Sequence, residues 1–132
     1  MALRIKPQIW RRIVVNLSTV HKLLLENVKT GIVLLNSQLR FLYINASAEA
    51  LLGISDRKAH ELFIGDILKN AEEDIGEMQT AITKNNSLTK LRAELSTIHA
   101  KKLVVDYTIN PFENDGETHA LLELNSIEQS QK

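Results

Sequence analysis

At 132 residues the chain fits one ordinary domain, and a hydrophobic content of 44% supplies one core but not two. Sixteen basic and sixteen acidic residues cancel, so nothing in the overall charge attracts nucleic acid or another polyanion. The absence of cysteine excludes a disulfide scaffold, a thiolate-ligated metal and cysteinyl chemistry, and no apolar run approaches the roughly 20 residues that cross a bilayer. A soluble, cytoplasmic protein is expected.

Residues 1–12 read as a basic leader, with Arg4, Lys6, Arg11 and Arg12 preceding the first acid, Glu26, and Pro7 opposing one unbroken helix. A solvated leader and an arm that touches a membrane surface or phosphate both fit these residues, and Trp10 can anchor either. From Ile13 the pattern changes. Ile13, Leu17, Val20, Leu24 and Val28 recur at helical spacing, which predicts an amphipathic helix over 13–29. Its apolar seam is too short for a free coiled coil and must pack on the domain or on a second copy of itself.

The stretch Gly31 to Ser55, GIVLLNSQLRFLYINASAEALLGIS, predicts a strand, a tight turn, a strand and a short helix. Ile32–Leu35 and Phe41–Ile44 are rich in β-branched and aromatic residues, and Asn36–Gln38 is turn chemistry. Asn45 can cap the helix that runs to Leu52, and Gly53 can close it in the left-handed conformation. Because Ile32–Leu35 is apolar on both parities, burial on both faces is expected.

Ser55 or Asp56 can cap a further turn through His60. Glu72, Glu73 and Asp74 read as the solvated start of a helix with Ile75, Met78, Ala81 and Ile82 on its apolar face. Three strands follow. The first alternates Thr89, Leu91, Ala93, Leu95 and Thr97 against polar residues, the second runs Leu103–Asn110, and the third Thr118–Asn125 after a break over Pro111–Glu117. Residues 126–132 are polar and read as an exit linker toward a missing signalling segment. The sum is an α+β fold: a five-stranded antiparallel sheet, short helices inserted after the second strand, and an N-terminal capping helix.

No catalytic constellation is present. His60-Glu61 lacks the second histidine of a zinc-protease helix, since Ile64 stands in its place, and His21, His60, His99 and His119 have no metal-ligand spacing. A small cavity between sheet and helices is the place for a ligand, with Leu34, Tyr43, Leu51, Leu62, Ile67, Met78, Ile82, Leu95 and Tyr107 as candidate lining. A filled core without a ligand fits the same residues.

Asn45, Ala48, Leu51, Leu52 and Gly53, following the hairpin, resemble the Asn-x-x-Ala-x-x-Leu-Leu-Gly helix of PAS domains. The resemblance covers roughly residues 24–125, so that 30–125 would be the PAS core, and within the family it is most similar to the N-terminal sensory domains of NtrB-like nitrogen-regulation sensor histidine kinases. It implies a homodimer, for which Ile13, Leu17, Val20, Leu24, Val28, Val33 and Leu35 are the candidate interface. It also implies a response regulator as partner of the parent kinase, with the PII signal protein as a further candidate. Ala46 departs from the proline common at its position. No histidine stands on the Glu72–Lys84 helix and the chain has no cysteine, so neither haem nor flavin is expected, and a small-molecule ligand is left open. The phospho-accepting histidine segment is absent, so the chain itself should not be an enzyme. A small-molecule receptor and an interaction domain of a transcriptional regulator are the competing readings.

Overall fold

The computed structural model describes residues 19–68, 71–97, 99 and 101–127. The basic leader, Ile13, Leu17 and residues 128–132 lie outside the described residues. Helix α1 spans Thr19–Asn27, β1 Gly31–Asn36, β2 Phe41–Ile44, α2 Ala46–Leu52 and α3 Asp56–Ala59. A 3-10 turn at Ile64–Asp66 leads to α4, Ala71–Lys84, and the chain finishes with β3 Leu88–Ser96, β4 Lys102–Asn114 and β5 Glu117–Ser126. The strands form one antiparallel sheet in the order β2-β1-β5-β4-β3, which is the predicted α+β arrangement. The segment between β2 and β3 packs on one face, where Leu52, Ile64, Ile67 and Met78 meet Val33, Leu95, Val105 and Leu122 in one apolar core.

Local chemistry sets the hairpin. The Asn36 side-chain oxygen accepts from the N–H groups of Gln38 and Arg40 at 2.9 and 3.0 Å, a polar turn that reverses the chain. Leu39 sits at φ 65° inside this turn, a left-handed conformation that costs a branched residue about 1 kcal/mol or more. Its side chain is fully buried, and that burial offsets the strain.

Two bulges shift the register within the sheet, and the one on β3 corrects the predicted alternation. Between β1 and β2, Leu34 faces Tyr43 and Leu35 faces Phe41, so Leu42 is an extra residue and the faces change beyond it. On β3, the register passes from Lys90 opposite Tyr107 to Ala93 opposite Val105. Arg92, at φ 55°, is the bulge, held by its N–H donating to the Asp106 carboxylate at 2.9 Å. Lys90 therefore shares the inner face with Ala93 and Leu95, while Leu91, expected on that face, is 67% exposed. The break predicted at Pro111 is also absent. Strand β4 continues to Asn114 because Pro111 lies past the last β3 pair, Leu88 with Ile109, where β4 is an edge strand and tolerates a residue without an N–H.

Candidate functional site

Parity decides which predicted site residues can act together. Val33 and Leu35, expected at a dimer interface, are fully buried in the core of the single chain and cannot meet a partner. Leu34, expected in the cavity, lies on the opposite face, in register with Tyr43 on one side and Leu121 on the other. Of the nine residues expected to line a cavity, Ile67, Met78, Leu95 and Tyr107 converge in the core, and Leu51, Leu62 and Ile82 pack against it. Leu34 and Tyr43 do not join them.

Two polar clusters organise what remains. The first joins α1 to the sheet. Asn45 is fully buried and uses its whole amide: its oxygen accepts from the N–H groups of Ile32 and Ala48, both at 2.9 Å, and its Nδ2 donates to the carbonyls of Leu25 at 2.7 Å and Thr30 at 3.1 Å. One side chain thus caps α2, starts β1 and holds the end of α1. Glu26, on α1, spans the same junction. One carboxylate oxygen accepts from the Tyr43 hydroxyl at 2.5 Å and the other from the Ala46 N–H at 2.9 Å. Burial and the Glu26 carboxylate push the Tyr43 phenol far above its ordinary range, which keeps it a donor. Ser47 Oγ adds a bond to the Val28 carbonyl at 2.6 Å, and Thr30 Oγ1 reaches Asn125 Oδ1 on β5 at 3.2 Å.

Against this polar attachment, apolar side chains of α1 and of the residue after it are open: Leu23 is 56% exposed, Leu24 60% and, just past the helix, Val28 40%. Leu24 and Val28 belong to the stripe seen in the sequence, and Leu23 extends it. Leu23, Leu24 and Val28 therefore place large apolar groups in solvent beside the polar attachment.

The second cluster corrects a reading of α4. Glu72 and Glu73 are exposed, as a solvated helix start requires, but Asp74 is buried, because it shares a helix face with Met78 and Ala81. Lys90 Nζ reaches Asp74 at 2.8 Å and Glu77 at 3.1 Å, and these acids raise the lysine pKa. The bulge on β3 is what turns Lys90 inward, and a bulge leaves no mark in an alternation pattern. Nearby, the Tyr107 hydroxyl is buried and has no hydrogen-bond partner among the described residues. His119 is also buried, stacked on Phe112 with ring centroids 5.6 Å apart. An open groove of about 730 Å³ runs along α4 between Glu73, Gly76, Thr80 and Leu88, and none of the nine predicted residues lines it.

Among the described residues, no group of three histidines or carboxylates is placed to hold a metal, and no helix is long and apolar enough to cross a membrane. The sheet order, the helical segment packed on one face and the Asn45-capped helix beside the hairpin define a PAS fold. The PAS domain family model matches residues 20–85, half of the chain, and the chain belongs to the PAS domain family. Three solved structures share the architecture. The PAS domain of nitrogen regulation protein NR(II) from Vibrio parahaemolyticus aligns with a TM-score of 0.71 at 18% identity, over 83% of this chain and 100% of that one. A domain of a sensory box sensor histidine kinase/response regulator from Geobacter sulfurreducens gives 0.71 at 16% identity, over 86% and 96%. A PAS domain from Colwellia psychrerythraea gives 0.74 at 18% identity, over 83% and 96%. At these identities the likeness concerns the fold. Comparison with curated proteins gives no match.

Proposed function

We propose that this chain is the sensory and dimerisation module of a two-component sensor histidine kinase of the NtrB-like kind, cytoplasmic, without haem or flavin and without catalysis of its own. It pairs with a second copy through α1 and passes changes at that interface through residues 126–132 to kinase segments. In the parent protein a response regulator is the partner, with the PII signal protein as a further candidate. The observation that carries this reading is the exposed apolar surface of α1 on a helix fixed to its own core by polar groups. A helix meant to cover its own domain would turn those leucines inward.

Sedimentation equilibrium tests it. The wild type is expected to be dimeric at micromolar concentration, and Leu24→Glu with Val28→Glu is expected to be a folded monomer. A wild type that remains monomeric at high concentration overturns the reading. One observation favours a small-molecule receptor as the second reading, namely the unpartnered Tyr107 hydroxyl in the interior. Native mass spectrometry of the purified protein tests that reading. A bound small molecule lost in Tyr107→Phe supports it, and apo protein alone counts against it.

A further inference from the structure

Among the described side chains of α1, Glu26 alone hydrogen-bonds the core. The other bonds that hold this helix, from Asn45 Nδ2 and Ser47 Oγ, end on main-chain carbonyls of Leu25 and Val28. Such bonds fix where the end of the helix lies. A carboxylate with one oxygen on Tyr43 and the other on Ala46 has two fixed points of attachment, and that fixes which way the helix faces.

One of these donors depends on a single residue. Ala46 is the first residue of α2, and Asn45 before it has φ −88° and ψ 177°. That is the backbone a residue takes before proline, and proline is a favoured first residue of a helix. Proline here would fit the backbone and abolish the N–H, and its ring carbon would fill the space where the Glu26 oxygen lies. The chain keeps a donor at a position where the helix start does not need one.

We propose that the Glu26 carboxylate is a latch that sets the direction of α1. Engaged on the Tyr43 hydroxyl and the Ala46 N–H, it holds the Leu23, Leu24 and Val28 surface at a fixed angle to the sheet. Released, it leaves this joint, among the described residues, held by the bonds from Asn45 Nδ2 and Ser47 Oγ to main-chain carbonyls, with α1 free to turn that surface. This assigns a regulatory element to the dimerising helix and rests on the reading of α1 as the dimer helix.

Hydrogen exchange on the whole chain tests the latch, with Ala46→Pro and Glu26→Ala compared with the wild type. Both variants are expected to speed exchange across residues 19–30 by about tenfold or more, the scale of one hydrogen bond to a charged group, while β4 and β5 keep their protection. Tyr43→Phe, which removes the other donor, is expected to do the same. Unchanged exchange in α1, exchange in wild-type α1 already at the rate of an unstructured chain, or loss of β4 and β5 protection in both variants overturns the latch. Sedimentation of the same samples separates the two proposals. A monomeric wild type overturns the dimer reading, whereas the exchange rates decide the latch in either state.

Discussion

Replacing Asn45 by alanine removes two accepted and two donated hydrogen bonds from a fully buried site. The cap on the Ala48 N–H contributes about 1 kcal/mol. The Ile32 N–H, left without its acceptor in a partly buried position, costs about 1–3 kcal/mol more. Leu25 is exposed and Thr30 half-buried, so water can replace the amide at their carbonyls and they add little. The sum is about 2–4 kcal/mol. With an unfolding entropy of about 2.1 cal/mol/K per residue, a chain of this length loses roughly 3–4 °C of Tm per kcal/mol, so calorimetry should record a fall of about 7–14 °C. Asn45→Ser keeps an oxygen that can cap Ala48 but is too short to serve Ile32, and should recover about 1 kcal/mol. A fall of less than about 3 °C in Asn45→Ala, or a serine variant no better than alanine, would refute the view that this amide holds three elements together.

The remaining predictions concern the charged cluster, the tyrosines and two glycines. Lys90→Met leaves the buried Asp74 carboxylate without its cation and is expected to cost about 1–3 kcal/mol in urea denaturation, a range reduced because the lysine is partly solvated; a neutral result would mean water replaces it. Both tyrosines of the chain have pKa values raised by burial, so the native state holds protons that the unfolded state begins to lose near pH 10. Stability is therefore full below that pH and falls as pH rises above it, as it does for Lys90, whose pKa is also raised. Phenolate absorbance should appear together with the loss of near-ultraviolet circular dichroism, and an ordinary titration of folded protein near pH 10 would contradict it. Gly53, at φ 72°, closes α2, and Gly53→Ala should cost about 1 kcal/mol. Gly76→Ala should instead stabilise α4 by up to about 1 kcal/mol in thermal unfolding, because an added Cβ meets nothing within 4 Å.

The order of elements was legible because each carried its own local signal. Asn45 and Gly53 bracket α2 as predicted, with the Asn45 oxygen on the Ala48 N–H and Gly53 left-handed. Face assignments were legible only where one parity was polar. In β1 both parities are apolar, so the choice between Val33 with Leu35 and Ile32 with Leu34 had no basis, and the choice made was the reverse of the one the core adopts. In β3 the alternation was clear but the bulge at Arg92 reversed its first half and carried Lys90 to Asp74. The joint at α1 was half visible: Asn45 stood out as a cap, but Glu26 stood out only as the first acid of the chain. Nothing local announces a contact with a residue 20 positions away, as Glu26 makes with Ala46.

The joint also bears on how such a module can signal. Gly31, which follows α1, pairs in register with Leu124 near the end of β5, and Thr30 bonds Asn125 beside it. The chain therefore enters through α1 and leaves through β5 at the same end of neighbouring strands. On the proposed reading, a turn of α1 need not cross the core to be felt at residue 126, because it would act on Thr30 and Gly31, which pair with or bond Leu124 and Asn125 on β5. Close packing favours this short route. An added Cβ at Gly31 would meet the Ala48 Cα at 3.3 Å and the Leu124 Cβ at 3.4 Å, so α2, β1 and β5 have little room to absorb a displacement among themselves. On the proposed reading, movement imposed at the Glu26 and Asn45 contacts would then be passed on to the β5 exit instead of being lost in the core.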